Sequence, residues 1–579
     1  MGRSSGQFLA RSVLAGLLAM GAQVFAASPD GSTLNAVPAT NPAAPAGTLS
    51  TQVNLVVKRF KFTGNTVFTS RQLEQVVAKF VGKTITTEDL EDARIALTRC
   101  YVDRGYINSG AVLPDQVVTD GVVTFQIVEG RLFEVQLQFI DAKGQPTRHW
   151  LRNSYVLSRA KVGSEGPLNL LRLKDQLELL RQDQNLQSVN AELRPGAAPG
   201  QSILDLQVRE ANPFQVGIQY SNRRPPSVGE SAVDLLAWDR DLTGNGDQLA
   251  VRYDILNGPL DDVAFAGDHD YSIDYTIPIT RYDTTFNFNY TRTDTIVGEQ
   301  PFQNLGITSA SEDYSITLRQ PLFRHPVAEA AVDGHPGKPA SEFDLFISGA
   351  IRNNTTYLLG QPFDFSSGAN NGVTRLTVVR LGQELSLQSR EAAFSGRSVF
   401  SFGLPVFGAT QNVDDQAGGQ FVSWLGQAQY VRLLERIGPV QTHNWQFVAR
   451  IAGQVANRPL VTLEQFSLGG VNTVRGYREN EFVCDQGVAG TLELRIPIIE
   501  KHETSILDLV PFCDAGYGSN RSIGSPTDTL CSVGIGFLFT PNRHLSAQLY
   551  YGVPTTSFIR QHESAQDYGF HFNVVLLAY

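Results

Sequence analysis

The stretch TTFNFNYTRT, residues 284 to 293, alternates apolar and polar side chains residue by residue. Its aromatic residues Phe286, Phe288 and Tyr290 fall on one face of an extended chain, and the asparagines between them fall on the other. The period of two predicts a β-strand with one apolar face and one wet face. The same pattern recurs in DQLAVRYDIL (247–256) and LCSVGIGFLF (530–539).

A closed transmembrane barrel explains this alternation better than a soluble sandwich, although the period is common to both. The strands run to about 10 residues, the length that crosses a bilayer at a tilt. Aromatic residues are frequent near strand ends, and a closed barrel leaves no unpaired edge in lipid. We predict about sixteen antiparallel strands between residues 213 and 579, starting near 214, 231, 247, 269, 284, 311, 341, 373, 390, 418, 444, 487, 507, 529, 544 and 568.

The sequence near the two chain ends predicts sorting signals. Arg3 and Arg11 precede the apolar run SVLAGLLAM, and small residues follow, so residues 1–27 are predicted to be a secretory signal peptide. Residues 28–52 are rich in Pro, Ala, Ser and Thr without an apolar period, which indicates a flexible linker. The last predicted strand, FHFNVVLLAY, ends on an aromatic residue, Tyr579, which we interpret as part of a C-terminal barrel signal.

Two small modules precede the predicted barrel. Residues 53–130 read as strand, helix, helix, strand and strand, with the apolar helix stripe Leu73, Val76, Val77 and Phe80. The same order of elements recurs over residues 131–212. Each module is small enough to be marginal alone, so we expect them to pack in tandem as two α+β domains.

Composition argues against several functions. The formal net charge is -10 and there is no basic run, which disfavours a nucleic-acid partner. The sequence has no CxxC, no HExxH and no phosphate-binding loop, and its GxSxG match, GRSSG (2–6), falls inside the predicted signal peptide, so we predict no metal, no cofactor and no enzymatic activity. Spacing does not decide whether the cysteines form a disulfide. They are Cys100, Cys484, Cys513 and Cys531.

One long connection interrupts the strands. FSLGGVNTVRGYRENEF, residues 466 to 482, lies between the strands WQFVARIAGQV and GVAGTLELRIPI, within a predicted loop at 458–486. Connections of this length inside compact proteins are usually functional or disordered. Gly469, Gly470 and Gly476 permit unusual backbone angles, so we predict a loop that folds back on itself. A buried Arg475 at its tip would require a carboxylate in fork geometry.

Strand alternation supplies candidate carboxylates. In LDLVPFCDAGYG (507–518), Leu507, Leu509 and Cys513 share one face. The opposite face, which we assign to the lumen, carries Phe512, Asp514 and Gly516. Glu493, on the preceding strand, faces the lumen by the same alternation and is a possible second acceptor.

These motifs resemble a known family. VRGY (Val474, Arg475, Gly476, Tyr477) followed by FCDAG on the strand after next resembles the outer-membrane transporters of two-partner secretion, the TpsB or ShlB/FhaC/HecB family. The resemblance extends to GNTVF, GYINSGAVLPDQ and FQIVEG in the first module, which are similar to POTRA domains. It covers the whole chain after the signal peptide.

The resemblance implies a type V secretion pore. Such a pore recognises one dedicated exoprotein of the adhesin, haemolysin or haem-scavenging type in the periplasm and passes it unfolded to the cell surface. It implies a barrel in the bacterial outer membrane, surrounded by lipid and inserted by the barrel-assembly machinery, with the modules in the periplasm. It also implies that Arg475 pairs with Asp514 inside the barrel.

One departure concerns how the pore is closed. Some family members carry an N-terminal amphipathic plug helix, and residues 28–50 have the wrong composition for one. A barrel-assembly factor of the same superfamily is an alternative function, against which the two modules argue. A passive porin is another, and it would have no use for docking modules.

Overall fold

The computed structural model describes residues 55–116, 118, 120–258, 264–265, 270–299, 302, 305–328, 337–365, 369–412, 416–437, 440–501, 504–521, 527–556 and 564–578. The predicted signal peptide and linker and the terminal Tyr579 lie outside these residues. The chain divides into two compact units, one ending at Ala211 and the next beginning at Asn212.

The first module is a three-stranded sheet with two helices. Strand Val122–Val128 lies in the middle, parallel to Arg59–Thr63 and antiparallel to Gly110–Val112. Both helices, Ser70–Val77 and Thr87–Val102, begin with a capping box, in which a threonine and the residue three positions later satisfy each other's backbone amides. A two-stranded ribbon pairs Leu55–Val56 with Thr84–Ile85.

The second module repeats this plan. Strand Gln201–Glu210 lies between Arg131–Phe139, which is parallel to it, and Leu186–Pro195, which is antiparallel. The helices are Asn153–Ala160 and Leu170–Gln182. The second of these helices buries Leu173, Leu177 and Leu180 on one face.

Polar contacts tie the two modules together. The side-chain amide of Asn169 donates to the carbonyl of Arg104 at 2.9 Å, and the amide of Leu170 donates to the carbonyl of Gly105 at 2.8 Å. The side-chain amide of Asn108 donates to Ser202 Oγ at 2.9 Å. All three bonds join the segment after the second helix of the first module to residues of the second module, so the pair forms one packed unit.

Glu129 anchors the turn that follows strand Arg59–Thr63 of the first module. Its carboxylate accepts hydrogen bonds from the amides of Thr66 and Val67 at 2.7 and 2.8 Å, and from the hydroxyl of Tyr101 at 2.9 Å. Burial raises the pKa of Glu129, but the bonds to its charged form outweigh burial and leave the pKa lowered. The resulting stabilisation is present above the unfolded carboxyl pKa of about 4.3 and is lost as pH falls through the lower folded pKa.

Glu129→Gln is therefore expected to destabilise the first module by about 1–3 kcal/mol near neutral pH, the scale of a lost charge-assisted network. The difference from wild type should shrink at a pH below the folded pKa. Hydrogen exchange of the peptide around residues 62–70 in the full-length protein measures it, with the exposed Glu134→Gln as control. An effect of equal size at low pH would contradict the assigned role of the charge.

The second unit is a closed antiparallel barrel of sixteen strands in the described residues, as the alternation predicts. Two two-residue strands, Ala264–Phe265 and Gln361–Pro362, add to the third and seventh strands. The barrel strands, referred to below by their order, are Phe214–Ser221, Ser231–Asp239, Gln248–Gly258, Tyr271–Pro278, Thr285–Ile296, Thr308–His325, Ala340–Leu358, Val373–Gln388, Ala392–Gly403, Val422–Ile437, Val440–Ala456, Gln486–Lys501, Thr504–Ser519, Thr527–Asn542, Leu545–Pro554 and Phe570–Ala578.

The sixteenth strand closes the barrel on the first, from Asn573 opposite Ser221 to Ala578 opposite Val216. No helix in the described part of the chain is long and apolar enough to span a membrane.

The outer face is apolar over a limited band. Tyr271, Tyr290 and Tyr314 form a row across three neighbouring strands, with ring centroids 5.8 and 4.6 Å apart. Two residues farther along the fifth strand, Arg292 lies 3.6 Å from Glu312. A tyrosine row next to a charged pair is typical of the interface between a bilayer core and water.

Candidate functional site

The connection between the eleventh and twelfth strands, residues 457–485, is buried inside the barrel, and we call it the lumen loop. Val474, Arg475 and Tyr477 are 0, 1 and 3% exposed. Two short strands, Phe466–Leu468 and Phe482–Cys484, pair antiparallel and form the stem of the loop. The tip, with the VRGY residues, lies beyond this stem.

Arg475 is held by two wall carboxylates. Its Nε donates to Asp514 Oδ2 and its Nη2 to Asp514 Oδ1, both at 2.7 Å, which is a bidentate fork. The backbone amide of Arg475 adds a third bond to Asp514 at 3.0 Å. The remaining terminal nitrogen, Nη1, donates to Glu493 Oε1 at 2.7 Å. The structure thus brings the three charged residues named from the sequence together in one buried cluster.

An aromatic floor supports the guanidinium. The Cζ of Arg475 lies 3.6 Å from the ring centroid of Phe512 and 4.9 Å from that of Tyr550. Arginine stacks well on aromatic rings because its planar group is weakly hydrated. Phe512 was named from its strand phase, whereas Tyr550 lies on the fifteenth strand, and nothing in its local sequence connects it to the loop.

Gly476 allows the loop to touch the wall with its backbone. Its φ is +88°, and a Cβ added there would lie 2.7 Å from the carbonyl carbon of Gly552. Its amide donates to His571 Nε2 at 3.1 Å, on the sixteenth strand. Both the positive φ and the close approach require glycine at this position.

The two other motif residues also contact the wall. Tyr477 donates its hydroxyl to the carbonyl of Cys531 at 2.9 Å. Val474 packs in a buried cluster with Leu468, and a Cβ added at Gly516 would lie 3.1 Å from a Val474 methyl group. Gly516 therefore leaves room on the wall for the valine.

Two wall arginines flank Glu493 and are absent from the residues predicted from the sequence. Arg450, on the eleventh strand, forms a short hydrogen bond with Glu493 Oε1. Arg495 lies 3.4 Å from Glu493 Oε2. Alternation places both arginines on the lumen face of their strands. It places other charged residues there too, so it does not single out these two.

A second arginine of the lumen loop, Arg478, contacts two of the connections between barrel strands: the one after the fifth strand and the one after the fifteenth. Arg478 donates to both carboxylate oxygens of Asp567, at 2.5 and 2.8 Å, and to Glu299 at 2.6 Å. The amide of Glu479 donates to Gln566 Oε1 at 2.8 Å. Burial, partly offset by a hydrogen bond from the amide of Val471, raises the pKa of Glu479 to about 7.

The base of the lumen loop contacts the opposite side of the barrel. Glu464 accepts hydrogen bonds from Arg352 on the seventh strand at 2.9 Å and from Arg380 on the eighth at 2.6 Å. Gly476 packs on the fifteenth strand, eight positions from the seventh in the ring of sixteen. The lumen loop therefore crosses the lumen from wall to wall.

The described residues contain no group of three or more His, Cys, Asp or Glu side chains placed to hold a metal ion. The question left open for the cysteines is answered by four free thiols. Cys513 is exposed on the outer face and Cys484 is buried in the stem of the lumen loop.

A closed sixteen-stranded barrel with an arginine-pinned loop across its lumen is typical of an outer-membrane transporter, and comparison with known proteins gives its family. The haemolysin secretion/activation protein family ShlB/FhaC/HecB matches residues 200–539, and the ShlB-type POTRA domain matches residues 55–130. The chain belongs to the ShlB/FhaC/HecB family, the TpsB-type outer-membrane transporters. This is a family of transporters and not of enzymes.

Individual relatives agree with this assignment. The chain is 24% identical to the outer membrane transporter CdiB of Dickeya dadantii (strain 3937) over 86% of its own length and 82% of that protein. It is 25% identical to CdiB of Escherichia coli O6:K15:H31 over 86% and 78%. Two solved structures share the fold: CdiB from Escherichia coli (TM-score 0.67, 20% identity, covering 92% and 93%) and CdiB from Acinetobacter baumannii (TM-score 0.62, 15% identity, covering 92% and 91%).

The family places the barrel in the outer membrane and the POTRA modules in the periplasm. The chain therefore enters the first strand from the periplasm. Connections after odd-numbered strands lie at the cell-surface mouth, and the lumen loop, which follows the eleventh strand, enters the lumen from that mouth.

Proposed function

We propose that the protein is the pore of a two-partner secretion pair, which binds one dedicated exoprotein in the periplasm and passes it unfolded to the cell surface. The observation that carries this function is the lumen loop, which closes the pore with side-chain contacts that can be broken and reformed. A passive porin needs a permanently open lumen, whereas a secretion pore needs one that clears for a substrate.

The lumen wall suits an extended polypeptide. It is polar and lined by arginine–carboxylate pairs, which offer hydrogen bonds without an apolar surface that would hold a chain in place. A barrel of sixteen strands accommodates an extended segment but not a folded domain. Three such pairs are Arg319 with Asp344 (2.6 Å), Arg324 with Asp283 (2.6 Å) and Arg252 with Asp270 (2.9 Å).

The periplasmic modules offer strand edges for the partner. In the second module, Arg131–Phe139 and Leu186–Pro195 are the outer strands of the sheet, and in the first module they are Arg59–Thr63 and Gly110–Val112. An extended exoprotein segment can add to such an edge through main-chain hydrogen bonds, with side-chain pockets giving specificity. We propose this β-augmentation as the mode of capture.

The exoprotein is proposed to be of the adhesin, haemolysin or haem-scavenging type. Outer-membrane lipid around the tyrosine row and the barrel-assembly machinery during insertion complete the proposed partners. Folding of the exoprotein outside the cell would bias its movement, because the periplasm supplies no nucleotide.

Deletion of the gene is expected to remove one large protein from the culture medium and the cell surface, and complementation should restore it. Mass spectrometry of both fractions in parent, deletion and complemented strains measures this. A broad fall in outer-membrane proteins would instead identify an assembly factor. An unchanged exterior together with a steady open conductance would identify a porin.

A further inference from the structure

Glu493 and Asp514 depend on the lumen loop to different degrees. Glu493 has three arginine partners, of which Arg450 and Arg495 belong to the wall and only Arg475 belongs to the loop. The side-chain carboxylate of Asp514 receives all of its hydrogen bonds among the described residues from Arg475. Removal of the loop would leave Glu493 paired and Asp514 bare.

The charges around the two carboxylates balance when the loop is absent. With the loop seated, three arginines face two carboxylates, and with the loop released, two arginines face two carboxylates. With the loop released, the carboxylate of Asp514 faces the lumen, where its charged form is more stable beside an arginine than alone. The wall arginines thus supply the released state with the charge that it needs.

Arg450 is placed to reach Asp514. Arg450 pairs with Thr491 across the eleventh and twelfth strands, and Thr491 pairs with Asp514 across the twelfth and thirteenth. Neighbouring strands lie about 4.8 Å apart, so the two Cα atoms are separated by about 10 Å, which an arginine and an aspartate side chain span together. The small Thr491 between them leaves the path clear on the wall.

The seated loop blocks this movement. The carbonyl of Thr473 lies 3.5 Å from the hydroxyl of Thr491, so the loop covers the row that joins Arg450 to Asp514. The Nε atoms of Arg450 and Arg495 are buried and have no hydrogen-bond acceptor in the described part of the chain. Each of these two arginines therefore has an Nε–H donor that could bond to a carboxylate after a change of side-chain conformation.

We propose that Arg450 is an exchange counter-ion: when the lumen loop leaves, Arg450 moves to Asp514 while Arg495 keeps Glu493 paired. Arg450 is then a positioning residue for gating, because it lowers the cost of releasing the loop without contacting the substrate. The proposed secretion function is needed only to explain why the exchange would be useful to the cell. The exchange itself is a property of the pore and needs no exoprotein.

Conductance of the purified full-length protein in planar lipid bilayers tests the exchange. Arg450→Gln removes one of two positive charges from the released state but one of three from the seated state, so the fraction of time spent at high conductance should fall by roughly two- to fivefold, the scale of an ion pair in contact with water. Arg450→Lys, which keeps the charge, should recover most of that fraction. Arg397→Gln, on the ninth strand, is the matched control for removing a lumen arginine far from Glu493.

Repeating the measurement in an Asp514→Asn variant shows whether Arg450 acts through Asp514 or only supports the barrel wall. In Asp514→Asn the released state no longer contains the bare carboxylate, so adding Arg450→Gln should change the open fraction much less than it does in the parent. An unchanged or increased open fraction in Arg450→Gln, or an equal decrease in both backgrounds, would overturn the proposal. Heat-modifiable mobility on gels confirms that each barrel is folded before it is measured. Since the assay contains no exoprotein, failure of the proposed secretion function leaves its outcome unaffected.

Discussion

Arg475→Ala is expected to abolish most secretion while the barrel still inserts. The substitution removes the fork to Asp514 and the bond to Glu493, and it leaves Asp514 buried without a counter-ion. Breaking a buried pair of this kind costs about 3–5 kcal/mol, which shifts the ratio of seated to unseated loop by roughly a hundredfold to several thousandfold. Exoprotein in the culture medium and heat-modifiable mobility of the barrel are the two measurements.

Two further variants serve as controls for Arg475→Ala: one changes its partner Asp514, and the other changes an arginine far from the pair. Asp514→Ala should reproduce the defect, because it removes the bidentate fork and the bond to the backbone amide and leaves Arg475 only its contact with Glu493 among the described carboxylates. Arg543→Ala changes an exposed arginine in the turn between the fourteenth and fifteenth strands and should leave secretion normal. Normal secretion by both Arg475→Ala and Asp514→Ala would refute a functional need for the pair.

Gly476→Ala is expected to unseat the loop although it changes no charge. Alanine at a φ of +88° is strained by about 1–3 kcal/mol, and its methyl group would collide with the backbone of Gly552 at 2.7 Å, which cannot move aside as a side chain can. We expect a secretion defect comparable to that of Arg475→Ala. In lipid bilayers the variant should also show an increased open fraction.

Gly349→Ala is the matched control for this steric prediction. Gly349 lies on the seventh barrel strand, and a Cβ there meets no atom within 4 Å. The control should secrete normally and conduct like the parent. If Gly476→Ala also secreted and conducted normally, close backbone contact between the lumen loop and the fifteenth strand would not be required.

Strand alternation was sufficient to predict the barrel but not the ends of its strands. Predicted starts at 418 and 444 correspond to strands that begin at Val422 and Val440. The sixth strand, Thr308–His325, is longer than the apolar segment that predicted it. Outside the lipid band both faces of a strand are wet, so the period-two signal disappears while the hydrogen-bonded ladder continues.

Only those site residues whose position follows from the alternation within one strand, or from the composition of the loop tip, could be predicted from the sequence. Alternation assigned Asp514 and Glu493 to the lumen, and the tip composition identified Arg475 as a cation in need of a partner. The contributions of Tyr550, Gly552 and His571 depend on which distant strands meet the loop, and no local pattern encodes that. The pairing of Arg450 with Glu493 likewise depends on the register between two strands joined by a long connection.

The sequence separations of the loop contacts have a consequence for the order of folding. Arg475 bonds to a residue 39 positions later, and Arg478 and Gly476 bond to residues 89 and 95 positions later. Arg475, Gly476 and Arg478 are therefore synthesised before these partners and acquire them only when the last four strands are in place. Contacts this distant form late, because chain closure must precede them. We therefore expect seating of the tip of the lumen loop to be among the final events of barrel assembly.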